Sequence, residues 1–331
     1  MQNLQVVLAS RPRGPVTEQN FRFVEAAIPS PKEGEVLVRN LYLSLDPYMR
    51  MRMDEGKSYA PPVQLGEVMV GGTVGEVLES NSPLLRKGEI VSARGGWQLF
   101  ATAKAETLRR VETGTAPLSA ALSVLGMPGV TAWYGLLKIA EPQPGETVVV
   151  SAASGAVGSV VGQIAKLKGC HAVGIAGGTA KCNYVVKELG FDACVDYKSE
   201  NFQEALQNAT PDGIDIYFEN VGGRILDAVL PLLNAFARIP FCGYISEYDH
   251  AAAHGVKQLR CLLVNRVKLQ AFIISEHLDI WDSALADLSA WLLAGKLKHH
   301  ATVAHGLEQA PEAFIGMLHG RNLGKQLVKL A

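Results

Sequence analysis

The residues whose type and spacing most clearly predict chemistry form a short glycine-containing turn. The apolar segment 147–152 leads into Gly155-Ala156-Val157-Gly158, and a helix-like segment follows. Glycines let such a turn bring its backbone close to a pyrophosphate, and the helix N-terminus presents N–H groups to it. The spacing is G-x-x-G rather than the full G-x-G-x-x-G, so the turn alone is weak evidence. In its alternating strand and helix context, it predicts a dinucleotide site.

A lysine lies where NAD-specific proteins carry an acidic residue, just after the second strand of this pattern. An Asp or Glu at that place would hold the ribose hydroxyls of NAD. This chain has Gly178 and Lys181 there instead. A carboxylate would repel a 2′-phosphate, whereas a lysine attracts it. The sequence therefore favours NADPH over NADH, with a solvated surface lysine as the alternative for Lys181.

The distribution of cysteine and histidine argues against zinc chemistry. The first cysteine is Cys170 and the first histidine is His171, so the preceding residues lack both soft ligands of protein zinc sites. The five cysteines are odd in number, scattered and without C-x-x-C spacing. Such a set is typical of reduced thiols. We expect no metal, and the absence of a secretory signal pattern predicts a cytoplasmic location.

Length and charge indicate a two-domain protein that binds a small molecule. At 331 residues the chain exceeds the usual single-domain size of about 150 residues. Its 31 Lys and Arg nearly balance 32 Asp and Glu, without a long run of one sign. Proteins that bind nucleic acids or membrane surfaces usually carry basic patches. Without a long basic run in this sequence, neither partner is expected.

The elements that must position these residues change in character along the chain. Short strand-like segments separated by Gly and Pro fill the first 110 residues or so, which indicates a barrel-like β domain. From residue 147, apolar strands alternate with helices, as in a parallel sheet covered by helices. The predicted fold class is α/β, a Rossmann doubly wound sheet with a partly open β-barrel domain. The predicted strands of the sheet are 147–152, 172–176, 193–196, 214–220 and 238–242.

Several long motifs carry a family resemblance. Segments 43–50, 125–136, 152–158, 217–223 and 320–325 resemble the zinc-independent medium-chain dehydrogenases/reductases. Within them, the chain is similar to the branch of prostaglandin reductases, plant double-bond reductases and bacterial NADPH-dependent curcumin reductases. The resemblance implies a GroES-like catalytic domain over 1–122, completed by 296–331, and a Rossmann domain over 123–295. It also implies a homodimer.

The resemblance further implies a set of NADPH contacts. Lys181 would meet the 2′-phosphate, Tyr197 and Asn220 the adenosine and ribose–phosphate portions, and Met127 and Thr131 the pyrophosphate side. The remaining implied contacts lie toward the nicotinamide: Cys242, Gly243, Ile245, Ser246, Tyr248, Phe272, Ile273, Ile274 and Asn322.

The expected reaction is hydride addition to the β-carbon of a conjugated enone or enal, with charge developing on the carbonyl oxygen and protonation at the α-carbon. Without a Lewis-acid metal, hydrogen-bond donors must stabilise that charge. Our candidate donors are Tyr48 and Tyr248, with Arg50 and Trp97 as further substrate contacts; core packing is the alternative for Tyr48, Tyr248 and Trp97. We expect Asp46 to pair with Arg50.

Two other functions remain open from sequence. One is an NADPH quinone oxidoreductase, and the other is a non-catalytic NADPH-binding protein. The chain also departs from the branch at Met51, at Val264 and in the segment 249–255, so the substrate preference does not transfer from relatives.

Overall fold

The computed structural model describes residues 2–112, 114, 116–249 and 254–330. The chain divides into two compact units, which we call unit 1 (Met1–Leu122 with Ala301–Ala331) and unit 2 (Ser123–His300). The sequence predicts the second boundary at residue 296. It lies five residues later, because Lys298 donates its backbone N–H to Gln163 Oε1 (2.7 Å) and accepts from Gln163 Nε2 (2.9 Å). These bonds tie residues 296–300 to unit 2.

Strands and helices are numbered in chain order. The strands are β1 (Asn3–Leu8), β2 (Phe21–Ala26), β3 (Glu35–Ser44), β4 (Thr73–Ser80), β5 (Ile90–Ala93), β6 (Phe100–Lys104), β7 (Arg109–Arg110), β8 (Thr147–Ser151), β9 (His171–Ala176), β10 (Ala193–Asp196), β11 (Ile214–Phe218), β12 (Leu233–Phe241), β13 (Lys268–Ala271), β14 (Ala301–His305) and β15 (Lys325–Lys329). The α-helices are α1 (Tyr48–Met51), α2 (Met127–Tyr134), α3 (Gly158–Leu167), α4 (Thr179–Lys187), α5 (Phe202–Ala209), α6 (Gly223–Val229), α7 (Arg260–Val264), α8 (Trp281–Leu293) and α9 (Ala310–Leu318).

Unit 2 is built on a six-stranded parallel sheet in the order β10-β9-β8-β11-β12-β13. Every residue of β8 is buried, as its continuous apolar sequence predicts for a strand packed against helices. Strand order reverses at β8, where β9 lies on one side and β11 on the other. In open parallel sheets, ligands bind at the carboxyl ends of the strands beside such a reversal. The predicted Rossmann fold is confirmed.

Unit 1 is a predominantly antiparallel β domain. Its main sheet has the order β14-β15-β3-β4-β5-β7, and β6 also pairs with β3. The C-terminal strand β15 lies between β14 and β3, so the end of the chain completes a sheet formed by its beginning. An aromatic group fills the core beneath, where Trp97 stacks on Phe21 at 5.3 Å and meets the edge of Phe314 at 5.5 Å between ring centroids. A separate β domain therefore accompanies the Rossmann sheet.

Among the described residues, no helix combines the length and the apolar character needed to cross a membrane.

Candidate cofactor and substrate sites

A sharp turn joins β8 to α3 in unit 2. Ala152 adopts a left-handed conformation (φ 50°), and Gly155 donates its backbone N–H to the Ala152 carbonyl at 2.8 Å. A Cβ on Gly158 would lie 2.4 Å from that same carbonyl oxygen. Only glycine lets α3 begin so close to the strand that precedes it. Glycine at position 158 is therefore required by the packing of α3 against β8, and the binding of a pyrophosphate at this turn stays a prediction.

The predicted 2′-phosphate site follows β9. Gly178 has a positive φ of 95° and donates its N–H to Asp196 Oδ1 at 2.8 Å, which fixes the start of α4. Lys181, in the first turn of α4, is half-buried. Burial lowers the pKa of its ammonium group, and the nearby charge of Lys198 lowers it further. Tyr197 packs over Gly177, whose added Cβ would lie 2.9 Å from the ring.

Two further cations lie around Tyr197, which directly follows β10, and the sequence did not single them out. The charge of one of them, Lys198, also acts on Lys181. Lys198 Cε is 3.1 Å from the position of a Cβ on Gly177. Arg224 lies over the Tyr197 ring, 5.8 Å from its centroid, and donates to the Tyr197 carbonyl at 3.0 Å. Lys198 lies just after β10, and Arg224 contacts Tyr197 between them. Because ligands bind at the carboxyl ends of parallel strands, the position of Lys198 after a predicted strand could have indicated it. The cation cluster Lys181, Lys198 and Arg224 suits a phosphate dianion.

A buried carboxylate holds Asn220 at the carboxyl end of β11. Glu219 is fully buried and accepts hydrogen bonds from Ser151 Oγ (3.0 Å) and from the N–H groups of Val221 (2.6 Å) and Gly222 (2.9 Å). Burial raises the pKa of Glu219. Asn220 donates its side-chain amide to the Ser151 carbonyl at 2.8 Å. Glu219, which sequence reasoning missed, therefore braces a predicted cofactor residue against β8.

The segment after β12 folds against the same turn. Gly243 lies so close that its Cβ would be 3.1 Å from the Asn220 carbonyl, and Ser246 Oγ donates to the Val221 carbonyl at 2.7 Å. Burial raises the pKa of the Cys242 thiol to about 12, which keeps it protonated. The Tyr248 hydroxyl accepts from the Tyr244 N–H at 3.3 Å. Gly243, Ile245 and Ser246 thus gather beside Asn220.

A second group of predicted contacts lies around α2. Thr131 Oγ1 donates to the Met127 carbonyl one turn earlier at 2.7 Å. Phe272 is buried and packs against Tyr134 at 5.5 Å between ring centroids. Ile274 is buried as well, in the turn that packs against α2. Met127, Thr131 and residues 272–274 therefore share one neighbourhood of unit 2.

In unit 1, the predicted substrate turn α1 is anchored by a buried ion pair. Lys325 Nζ donates to Asp46 Oδ1 at 2.9 Å and also to the Leu45 carbonyl, and its side chain is only 2% exposed. Burial lowers the pKa of Lys325, while the Asp46 carboxylate opposes that shift. We expected Asp46 to pair with Arg50. Instead, Asp46 pairs with Lys325, and Arg50 pairs with Asp54 at 2.7 Å. Lys325 ends the motif 320–325, but nothing in that motif indicates a pairing with Asp46.

Tyr48 opens α1 and is half-buried. Burial raises the pKa of its hydroxyl well above the ordinary range, and the charge of Asp46 and the neighbouring Tyr59 raise it further. Its hydroxyl therefore stays protonated at physiological pH and can donate a hydrogen bond. Arg52 and Arg94 also act on this hydroxyl and lower its pKa, in smaller measure.

Two predicted contacts of unit 1 differ in outcome. Trp97 has no exposed surface and is stacked inside the core, so its predicted role as a substrate contact is wrong for this structure. Its bulk makes core burial more favourable than exposure to a ligand. Asn322 is half-buried just before β15 and donates its amide to the Gly324 carbonyl at 2.8 Å. Its contact with a cofactor stays a prediction.

No cluster of three or more His, Cys, Asp or Glu side chains among the described residues is arranged to hold a metal ion.

Comparison with known proteins extends these observations. Residues 4–111 match the family model of the N-terminal domain of oxidoreductases, and residues 156–290 match that of zinc-binding dehydrogenases. The first of these matches lies within residues 1–169, which contain no Cys or His.

Close relatives cover nearly the whole chain. It is 47% identical over 335 residues to the NADPH-dependent curcumin reductase of Escherichia coli, covering 99% of this chain and 97% of that protein. It is 42% identical over 336 residues to the NADP-dependent 2-alkenal reductase of Nicotiana tabacum, covering 99% and 98%. The crystal structure of CurA in complex with NADPH from Vibrio vulnificus matches with a TM-score of 0.95 and 49% identity, covering 99% of each chain.

Proposed function

We propose that this chain, which belongs to the medium-chain dehydrogenase/reductase family, catalyses the NADPH-dependent reduction of the conjugated C=C bond of α,β-unsaturated ketones and aldehydes. The observation that carries the cofactor part of the proposal is the cation cluster, in which Lys181 and Lys198 follow β9 and β10 and Arg224 lies over Tyr197. It supports a cofactor with a 2′-phosphate. The choice of a conjugated carbonyl substrate is supported by the similarity to a curcumin reductase and a 2-alkenal reductase.

The residues of unit 2 fit NADPH. A Cβ on Gly158 would collide with the Ala152 carbonyl, so glycine lets α3 begin close to β8. The free N–H groups at the start of α3 are proposed to bind the pyrophosphate. Lys181 is proposed to bind the 2′-phosphate, with Tyr197 beside the adenosine. The other proposed contacts are Met127, Thr131, Gly178, Asn220, Cys242, Gly243, Ile245, Ser246, Phe272, Ile273, Ile274 and Asn322. When bound, NADPH supplies the hydride that reduces the double bond.

The protein's own task is to bind the conjugated carbonyl and to stabilise the charge that develops on its oxygen. Tyr48 is our first candidate for that donor, because it opens α1, the turn predicted to contact the substrate, and its side chain is half-buried. Tyr248 is the second candidate, and Arg50 is proposed as a substrate contact. Removing one donor of this kind typically costs about 3 kcal/mol of transition-state stabilisation. Water or a nearby hydroxyl then protonates the α-carbon.

The test is a substrate panel with purified full-length protein, following the loss of NADPH absorbance. The panel holds trans-2-alkenals, a linear enone, a curcumin-like dienone, menadione and a simple ketone, each with NADPH and with NADH. We expect turnover of the conjugated carbonyls with NADPH, saturated carbonyl products and no turnover of the simple ketone. Turnover of menadione alone would instead favour a quinone reductase. Tight NADPH binding without any turnover would favour a non-catalytic binding protein.

A homodimer joined at the edge of the Rossmann sheet is also proposed. Strand β13 pairs with β12 on one side, and no described strand pairs with its other side. Large apolar side chains are exposed near this edge, with Leu263 80%, Phe236 66% and Leu259 60% accessible. A protein rarely leaves such a group in water beside an open strand edge unless a partner covers it. Light scattering should give twice the chain mass, and Leu263→Asp should shift it toward the monomer.

A cytoplasmic location is proposed as well. All five cysteines are free thiols, including the half-buried Cys182, Cys194, Cys242 and Cys261. Unbridged thiols in a chain of this size are typical of a reducing compartment.

A further inference from the structure

Two cysteines of unit 2 lie in direct contact beside the predicted 2′-phosphate site. The sulfur atoms of Cys182, in the first turn of α4, and Cys194, on β10, are 3.0 Å apart. Both are free thiols and both are half-buried, so a small oxidant can reach them. A disulfide bond needs a separation of about 2.0 Å, so closure requires a movement of about 1 Å.

The two elements that carry these cysteines are packed together, which favours closure over separation. Helix α4 packs against both β9 and β10. Cys194 lies under Gly174, whose added Cβ would be 3.3 Å from its sulfur and 2.8 Å from Ala153. Cys194 is therefore packed against β9, close to the residues that follow β8.

The two thiols are chemically unequal. The Cys194 thiol donates to the Cys182 sulfur, which lowers the pKa of Cys182 against the opposing effect of burial. The same bond raises the pKa of Cys194, and burial raises it further. Because the thiolate is the nucleophile in thiol oxidation, Cys182 is the attacking sulfur and Cys194 is the resolving one. By contrast, burial raises the pKa of Cys170 to about 11.

We propose that hydrogen peroxide converts Cys182 and Cys194 into a reversible disulfide that weakens NADPH binding. The Cys182 thiolate attacks one peroxide oxygen, the O–O bond breaks, and a sulfenic acid and one water result once the hydroxide takes up a proton. The Cys194 sulfur then attacks the sulfenic sulfur, the S–S bond forms, and a second water leaves. In total, two thiols lose two protons and two electrons, and one peroxide becomes two waters. A small dithiol reverses the reaction.

The coupling to the cofactor follows from the neighbours of the pair. Lys181 directly precedes Cys182, and Asp196, which accepts from the Gly178 N–H at 2.8 Å, lies two residues after Cys194. Drawing the two sulfurs together moves the first turn of α4 toward β10. That movement displaces Lys181 relative to Tyr197 and Lys198. The coupling rests on the proposed function of Lys181, whereas formation of the disulfide does not.

Disulfide formation is tested by treating the full-length protein with a slight excess of hydrogen peroxide. Free thiols are then alkylated, and peptides are mapped by mass spectrometry with and without dithiothreitol. We expect the loss of two thiols, a cross-linked peptide pair containing Cys182 and Cys194, and full reversal by the reductant. Cys182→Ser and Cys194→Ser should each abolish the cross-link, and the control Cys261→Ser should retain it. Oxidation of Cys182 to sulfinic acid in the wild type without a cross-link would overturn the proposal.

The coupling is tested by calorimetric titration of 2′,5′-ADP, a probe that carries the 2′-phosphate but has no nicotinamide. We expect the disulfide form to bind it at least ~10-fold more weakly than the reduced form, equivalent to about 1.4 kcal/mol. Peroxide-treated Cys194→Ser should bind like the untreated variant. Equal affinity of the two wild-type forms would overturn the coupling. Failure of the reduced form to bind the probe would instead count against the proposed cofactor site, while the mapped cross-link would stand.

Discussion

The cofactor region of unit 2 and the α1 turn of unit 1 are constructed in different ways. The turn after β8, the lysine after β9 and the asparagine after β11 each follow a strand of the strand–helix repeats, so a local rule locates each one. The α1 turn is held by Lys325, which is 279 residues from its partner Asp46. One site is thus encoded by local turns and the other by a long-range pairing. The difference explains why the sequence identifies the cofactor more readily than the substrate contacts.

The largest effect is expected from breaking the long-range pairing. Asp46→Ala would leave the Lys325 ammonium buried without its carboxylate. Breaking a buried ion pair in this way typically destabilises a protein by about 3–5 kcal/mol. Urea unfolding should therefore show a large loss of stability in Asp46→Ala. An unfolding midpoint equal to that of the wild type would contradict the anchoring role.

The double variant Asp46→Leu/Lys325→Met is the matched control. It removes both charges and retains similar volumes, a change that is often neutral for a buried pair. Its stability should return toward the wild-type value.

The next effect is catalytic and concerns the α1 turn alone. Tyr48→Phe removes the proposed donor and leaves the ring in place. We expect kcat/KM for a linear enone to fall about 100-fold, in line with about 3 kcal/mol for one lost donor. The NADPH dissociation constant should stay the same. If Tyr48→Phe and Tyr248→Phe combined leave kcat/KM unchanged, the donor assignment is wrong.

A smaller effect is expected in the cation cluster. Lys198→Ala should weaken NADPH binding by about 10-fold, because one phosphate contact of a charged group contributes about 1.5 kcal/mol. NADH binding should change little, since it lacks the 2′-phosphate. Titrations of both cofactors measure the ratio. Equal losses for the two cofactors would show that Lys198 acts on stability rather than on the 2′-phosphate.

The smallest effect concerns the pH dependence of stability at Glu219. Burial raises the pKa of Glu219 in the folded protein. The contribution of this group to folding stability is therefore complete below the pKa of the unfolded chain, about 4.3, and is lost as the pH rises through the pKa of the folded protein. Glu219→Gln keeps an acceptor for Val221 and Gly222 and removes this decline. The melting temperature of the variant relative to wild type should therefore rise with pH across that window. A difference that is independent of pH would contradict the assignment.

Much of unit 2 could be predicted from its sequence. The apolar run 147–152 and the helix after Gly158 lie within one or two residues of β8 and α3. Helix α2 begins at Met127, since Gly126 is extended and Pro128 suits the first turn of a helix. Strand β12 begins at Leu233, five residues before its prediction, because it pairs with Ile214 of β11. Local patterns do not encode such pairings.

Less of unit 1 could be predicted, for the same physical reason. The first 110 residues hold fewer regular strands than their strand-like segments indicate; Val68, for example, forms an isolated bridge with Val7. Trp97 is part of the core because Phe21 and Phe314, distant in sequence, surround it. An aromatic residue has the same local signature in a core and in a pocket. The role of Lys325 depends on the pairing of β15 with β3, and no local sequence pattern indicates that pairing.

The most direct test of the proposed reaction follows a deuterium label from the nicotinamide into the product. NADPH carrying two deuterium atoms at C4 is incubated with the protein and a linear enone, and the product is examined by NMR. We predict a saturated ketone with one deuterium on its β-carbon and none on the carbonyl carbon. Deuterium on a carbinol carbon, with the double bond intact, would contradict conjugate reduction.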